Sequence, residues 1–255
     1  SSALITLMPC LVMLGWYAAG SLQLRWVTWC AVALAPLLLA AAYTSLNRSI
    51  WVAFAVQLGL LGALLLARSS RLRQGFLSLR AKVAMVVLAV GLGGAAAGML
   101  LSVQATRHMN ALHDTRLALW PHILRLIGEQ PLTGYGFGRG LLRDYLGQQL
   151  GGLDTHLWHA HNIFLEALVQ LGIPGLILFL WLLGATARQG WVCARDPDRR
   201  VAACGMALLA VLVGMLIRNS TDSLFVRQSA LLYWGIVGIL LAWGTARARR
   251  PASAR

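Results

Sequence analysis

Ile50-Trp-Val-Ala-Phe-Ala-Val-Gln-Leu-Gly-Leu-Leu-Gly-Ala-Leu-Leu-Leu-Ala67 is a stretch of eighteen residues without a charge, closed by Arg68. At ~1.5 Å per residue, a helix of this length nearly crosses the ~30 Å hydrocarbon core of a bilayer. Comparable apolar runs fall at roughly 3–20, 26–44, 83–103, 163–187, 201–217 and 225–245. Only helices or closed barrels satisfy their backbone in lipid, and these runs lack the period-2 alternation of a barrel strand. The expected fold is all-α: a polytopic transmembrane helical bundle of about seven spans.

Composition agrees. Of 255 residues, 58% are hydrophobic and 12% charged, where a soluble domain carries about 45–50% and about 25%. With a mean hydropathy of +0.69, this excludes a soluble globular domain, a disordered chain and a disulfide-rich secreted scaffold. Formal charge is +14, yet so apolar a chain is a poor nucleic-acid binder, and the charge orients the bundle instead. One set of loops holds Arg25, Arg68, Arg71, Arg73, Arg80, Lys82, Arg188, Arg195, Arg199, Arg200, Arg247, Arg249, Arg250 and Arg255 against Asp196 and Asp198, a net +12. The opposite side holds eight arginines against six acids, a net +2. The first side is expected to be cytoplasmic, with the N-terminus outside and the basic tail inside. The chain opens on Ser1 without a basic leader, and is expected to be the C-terminal part of a longer protein. Cys10, Cys30, Cys193 and Cys204 lie in spans or beside an inner loop, which argues against a structural disulfide and a cysteine metal site.

Residues 104–162 form one long external loop, and long ordered loops are usually functional. All six histidines lie in it: His108, His113, His122, His156, His159 and His161. Asp114–Gly128 reads as a helix, with Pro121 marking a kink or restart. Arg116 and Trp120 share a face, and Arg125 and Glu129 form a surface pair. In Pro131-Leu-Thr-Gly-Tyr-Gly-Phe-Gly-Arg-Gly140, alternate glycines let backbone approach a bulky or phosphorylated ligand, or form a turn with aromatic anchors. The run is neither a Rossmann nor a Walker fingerprint.

His156-Leu-Trp-His159-Ala-His161-Asn162 admits three readings. Three imidazoles could hold zinc, although no carboxylate stands at a known zinc spacing. They could be plain solvated histidines, the preferred reading for His156. Or one imidazole, at the head of the fifth span, works as an acid/base. Asn162, Glu166 and Gln170 then form a polar stripe at i, i+4 and i+8, which in a membrane faces protein or a cavity. For Gln170, an interhelical hydrogen bond is the expectation. Gly172-Ile-Pro-Gly175 is expected to kink this span near its outer end. Arg48, after the N-cap candidate Asn47, sits at an outward helix N-terminus suited to a phosphate, or anchors lipid headgroups. Arg218 ends the sixth span, where a capping role with Asp222 competes with ligand binding.

Taken together these residues resemble the bacterial O-antigen ligase/polymerase superfamily of membrane glycosyltransferases, over roughly residues 40–245. The most specific element is His161-Asn162, nine residues, Gly172, two residues, Gly175; His159-Ala-His161-Asn162 is similar to the wider H-x-H-N pattern. Arg116…Trp120…Pro131-Leu-Thr-Gly134-Tyr-Gly136 and Asn47-Arg48-Ser49 resemble two further family blocks. The chain departs from the family in the order of Glu166 and Gln170, and in Pro121, which interrupts a helix that is usually continuous.

The resemblance implies an inner-membrane enzyme whose site faces the periplasm. It would move a glycan from undecaprenyl diphosphate to a sugar hydroxyl of lipid A–core. It implies metal-independent, inverting transfer with no cofactor, His161 as catalytic base, Arg48 and Arg116 on the diphosphate, and His159, Asn162 and Arg218 in support. The implied layout is helices one to four over 1–103, a periplasmic catalytic loop with short helices over 104–162, helices five to seven over 163–245, and a basic cytoplasmic tail over 246–255. An O-antigen polymerase or a protein O-oligosaccharyltransferase of the same superfamily fits the same motifs. A transporter of an anionic lipid or solute is the alternative of another class, disfavoured because the ionisable groups cluster at span ends rather than the midplane.

Overall fold

The structure, a computed structural model, describes residues 2–20, 22–44, 48–68, 115–138, 159–220 and 228–248. Its helices are α1 (Ser2–Ala18), a short 3-10 turn (Leu22–Leu24), α2 (Arg25–Thr44), α3 (Arg48–Arg68), α4 (Thr115–Glu129), α5 (Ile163–Ala194), α6 (Arg199–Asn219) and α7 (Gln228–Ala248). Among the described residues there is no strand, so the all-α expectation holds. Five helices, α2, α3, α5, α6 and α7, are long and apolar enough to cross a membrane. The first expected run appears as the 17-residue α1. The expected fourth run, 83–103, lies outside the described residues, as do 104–114 and 139–158 of the long loop.

The chain divides into two compact units. The first contains α1–α3, α5 from Thr186, α6 as far as Ile217, and α7. Among the described residues its core has two clusters. Met13 and Leu61 pack with Ala202, Ala203, Met206, Ala207 and Ala210 of α6. Ile5 and Met8 pack with Ile50, Trp51 and Phe54 of α3. Small residues on α6 let backbones come close, as in membrane helix pairs where lipid supplies no hydrophobic drive. A Cβ at Gly205 would lie 2.2 Å from the Ala194 nitrogen. The one polar residue of the 50–67 run, Gln57, is fully buried. Its Nε2 donates to the carbonyls of Ile5 and Ala210, each at 2.9 Å, tying α1 and α6 to α3. Bonding both Nε2 donors in this way offsets part of the cost of burying an amide in an apolar span.

One end of this unit collects arginines from loops expected on a single side of the membrane. Arg68 donates to the carbonyls of Ala194 (3.2 Å) and Pro197 (3.0 Å). The Arg195 guanidinium lies 4.3 Å from the Trp191 ring centre, and that of Arg200 lies 5.4 Å from Tyr17. Arg199 stacks 4.1 Å from the Trp16 ring centre and donates to the Trp16 carbonyl. Asp198 caps α6, its Oδ1 accepting the Arg200 N–H at 2.8 Å.

The second unit contains α4, α5 as far as Ala185, and the end of α6 from Arg218. Leu119, Ile123 and Leu126 form the buried face of α4 and pack with Ala160 and Val169, at the spacing that places side chains on one helical stripe. The expected interruption at Pro121 is corrected: α4 runs through it as one helix, Thr115–Glu129. Pro121 is the seventh residue, so its missing N–H deprives only the Leu117 carbonyl in the first turn, and the buried stripe on either side holds the helix. α5 is broken at Gly172 (φ 66°, ψ −170°), as Gly172-Ile-Pro-Gly175 predicts. The part after the break is by itself long enough to cross ~30 Å of hydrocarbon.

Candidate active site

The head of α5 is fixed by Asn162. Its Oδ1 accepts the N–H groups of Phe164 (2.9 Å) and Leu165 (3.2 Å), two donors that a helix N-terminus leaves unsatisfied. Its Nδ2 donates to the Ser220 carbonyl at 3.0 Å. Asn162→Ala is expected to cost ~1 kcal/mol of cap energy, read as a lower unfolding midpoint of the detergent-solubilised protein.

Immediately before the cap, the chain turns sharply. His161 has φ 52°, among the described residues the one non-glycine residue at positive φ, a region few such residues occupy. Ala160 is fully buried, and both its backbone polar groups are taken by side chains. Its N–H donates to Glu166 Oε2 at 2.7 Å, and its carbonyl accepts from Trp120 Nε1 at 3.1 Å. The other carboxylate oxygen, Glu166 Oε1, accepts from Gln170 Nε2 at 2.6 Å. The His159 and His161 rings stack with centres 4.0 Å apart and planes inclined by 35°; both residues are half-buried. The arrangement presents two imidazoles on a backbone held from α4 and from α5.

Two sequence blocks far apart in the chain prove to be halves of one joint. The break at Gly172 and the absent N–H of Pro174 leave backbone groups of α5 without helical partners. The turn after α4 supplies them. The Ile173 N–H donates to the Pro131 carbonyl (2.8 Å), Tyr135 N–H to the Val169 carbonyl (2.8 Å), and Gly136 N–H to the Gln170 carbonyl (3.0 Å). The joint requires glycine on both sides. A Cβ at Gly172 would lie 2.4 Å from the Leu132 oxygen, and one at Gly134 (φ +61°) 2.6 Å from the Gln170 carbonyl. Of the alternate glycines, Gly134 thus serves backbone approach, although here the partner is the protein's own helix, while at Gly138 nothing lies within 4 Å of an added Cβ.

Beside the joint, Glu129 accepts from Tyr135 Oη and from Arg125 Nε, each at 3.0 Å, so the expected Arg125–Glu129 pair is present. The Tyr135 hydroxyl first, then Arg125, hold the Glu129 carboxyl below the usual carboxylate value. A depressed acid contributes stability above its unfolded pKa and loses it as pH falls through the folded one. Tyr135→Phe is expected to move the Glu129 midpoint upward toward the ordinary value, a shift visible in the pH dependence of its carboxylate carbon resonance.

The structure therefore brings His159, His161 and Asn162 together, with Trp120 and the Ser220 carbonyl bonded to the same segment. Arg218, buried in the last turn of α6, stands two residues before Ser220; its expected partner Asp222 lies outside the described residues. Arg116 is the second residue of α4, one turn before Trp120, and Arg48 is the first residue of α3. His156 and Asn47 lie outside the described residues. The interhelical bond expected of Gln170 is not the one observed: its amide is bonded to Glu166 in its own helix. Sequence reasoning placed Glu166 on a stripe but missed its grip on Ala160. An acid in the first turn of the helix that follows the histidine cluster was the available signal.

The class defined by these observations is a helical membrane protein with a histidine-bearing turn at the head of a broken span. The sequence model of the O-antigen ligase family matches residues 33–180, more than half of the chain, and the chain belongs to that family. The match takes in Arg48, Arg116, the 131–136 turn, His161 and Gly172. Two curated relatives are named "putative polysaccharide ligase". The one from Rickettsia prowazekii is 37% identical over 27% of this chain and 18% of the relative. The one from Rickettsia conorii is 35% identical over 29% of this chain and 19% of the relative. The chain thus spans about a fifth of the length of the curated relatives it matches.

Proposed function

We propose that the chain carries the transfer site of an O-antigen ligase. It would join a glycan borne on undecaprenyl diphosphate to a sugar hydroxyl of lipid A–core, at the periplasmic face of the bacterial inner membrane. The observation that carries this reading is the His159-Ala160-His161-Asn162 turn, locked at the head of α5 by Glu166, Trp120 and Asn162, in a chain of this family. In the proposed reaction the acceptor hydroxyl attacks the anomeric carbon of the donor. The bond from that carbon to the diphosphate oxygen breaks, His161 takes the hydroxyl proton, and undecaprenyl diphosphate leaves. Attack opposite the leaving group inverts the anomeric centre. Arg48 and Arg116 stabilise the charge that grows on the diphosphate, the role that bound Mg²⁺ fills in metal-dependent transferases. His159, Asn162 and Arg218 support the site.

The proposed layout has seven spans, with α1 first, residues 83–103 fourth, and 104–162 as a periplasmic catalytic loop. The spans fall within 1–103 and 163–245, and residues 246–255 form a cytoplasmic tail. Supporting one common side for the basic loops, Arg68 bonds to the Ala194–Pro197 turn, which contains Arg195 and leads into Arg199 and Arg200 at the start of α6. The reading is tested by the surface polysaccharide of a strain lacking the gene. Long polymer retained on the lipid carrier, with none on core, is the expected result. Single repeat units on core would overturn it in favour of a polymerase. Unchanged polymer on core with an altered protein-linked glycan would favour a protein transferase.

A further inference from the structure

The geometry points to Glu166 and Trp120 as positioning residues that hold His161 for transfer by gripping the N–H and the carbonyl of Ala160, an inference that rests on His161 being the base. The tripeptide before Asn162 belongs to no helix, so nothing in regular secondary structure fixes it. Its middle residue is fully buried, and the hydrogen bonds on that residue come from two different elements: a carboxylate of α5 on the N–H at 2.7 Å, an indole of α4 on the carbonyl at 3.1 Å. Each of these groups lies one peptide or less from His161, whose φ of 52° is a conformation that few non-glycine residues adopt unaided. The Glu166 carboxylate is itself oriented by the 2.6 Å bond from Gln170, and an ionised acceptor makes the stronger kind of hydrogen bond. Gln170 in turn offers its carbonyl to Gly136. The chain of contacts therefore runs from the 131–136 turn through Gln170 and Glu166 to the peptide beside the imidazole.

A base displaced by ~1 Å loses about 10²-fold in rate with little change in substrate binding. Glu166→Ala is accordingly expected to lower kcat by ~10²-fold while KM for the donor holds. Trp120→Phe keeps an aromatic side chain while removing the indole donor and the second ring, and is expected to shift kcat in the same direction by a smaller factor. Glu166→Gln is expected to restore most of the rate. Its amide oxygen can accept the Ala160 N–H, and a turned Gln170 amide can accept from its NH₂. The test uses the full-length enzyme in proteoliposomes, undecaprenyl-diphosphate-linked glycan as donor and lipid A–core as acceptor. Rates are taken per folded enzyme, with His161→Ala measured alongside. Wild-type turnover in His161→Ala would remove the reading of His161 itself. A silent His161→Ala together with wild-type kcat in Trp120→Phe and in folded Glu166→Ala would overturn the positioning role alone. So would a Glu166→Gln enzyme no faster than Glu166→Ala, because charge rather than the hydrogen bond would then be what matters.

Discussion

Replacing His161 by asparagine is expected to lower glycan transfer by about 10²–10⁴-fold, the usual contribution of a positioned general base, without unfolding the turn that carries it. Asparagine is the informative substitution because of the backbone. His161 sits at φ 52°, and asparagine is among the non-glycine residues that enter the left-handed region most readily. An alanine variant removes the base but also places a less tolerant residue in the same conformation, so its loss mixes chemistry with strain. Asparagine keeps the turn and lacks a group able to accept the hydroxyl proton. The measurement is the initial rate of transfer from undecaprenyl-diphosphate-linked glycan to lipid A–core by the full-length enzyme, together with KM for the donor. The expected outcome is a collapsed kcat with KM nearly unchanged, because the proposed diphosphate contacts belong to Arg48 and Arg116. Transfer within a few-fold of wild type would remove His161 from the chemistry. His159 is the internal comparison. Its ring stacks on that of His161 at 4.0 Å, so His159→Asn is expected to have the smaller effect, acting on the pair rather than on the proton.

The hydropathy pattern located most of the helices because lipid leaves the backbone no choice. With no water to bond, each apolar run closes its own hydrogen bonds, and the runs 26–44, 50–67 and 201–217 match α2, α3 and α6 to within two residues at either end. α5 overran its expected end at 187 and reaches Ala194. Arg188 and Gln189 end the apolar run, but polar residues do not end a helix whose backbone is still bonded. Pro121 misled in the opposite way. The local rule sees a ring without an N–H; it does not see the buried Leu119–Ile123–Leu126 face that keeps α4 continuous. The geometry of the candidate site was legible where it depends on residue type and spacing: the cap at Asn162, the glycine at 172, the polar stripe between them. It was not legible where it depends on backbone groups meeting across the chain. The Ala160 peptide carries no side-chain signature, so the grip of Glu166 and Trp120 upon it left no mark in the pattern. Gly134 and Gly172 were each visible as glycines with a local purpose. Their shared purpose appears only when the 131–136 turn is seen bonded to the broken turn of α5.

That shared purpose makes Gly172→Ala the substitution with the largest expected effect on stability. At φ 66° and ψ −170° the residue occupies a region essentially confined to glycine, where a side chain costs about 1–3 kcal/mol in strain. The added Cβ would also stand 2.4 Å from the Leu132 oxygen and 2.6 Å from its carbonyl carbon, an overpacking cost of about 1–3 kcal/mol more. Relief requires the turn to lift from α5. That would break the bonds from Ile173, Tyr135 and Gly136 together and leave the Val169 and Gln170 carbonyls without those partners. Gly134→Ala attacks the same joint from the other side, 2.6 Å from the Gln170 carbonyl. The two substitutions are therefore expected to be strongly non-additive, since the second has little left to break once the joint is open. Gly184→Ala is the control within the same helix: nothing lies within 4 Å of its Cβ, and alanine there is expected to be neutral or to stabilise by up to ~1 kcal/mol. Unfolding midpoints of the four variants in one detergent decide the matter. If Gly172→Ala unfolds with Gly184→Ala rather than well below it, or if the double variant shows the full sum of its parts, the turn and the helix do not form a single joint.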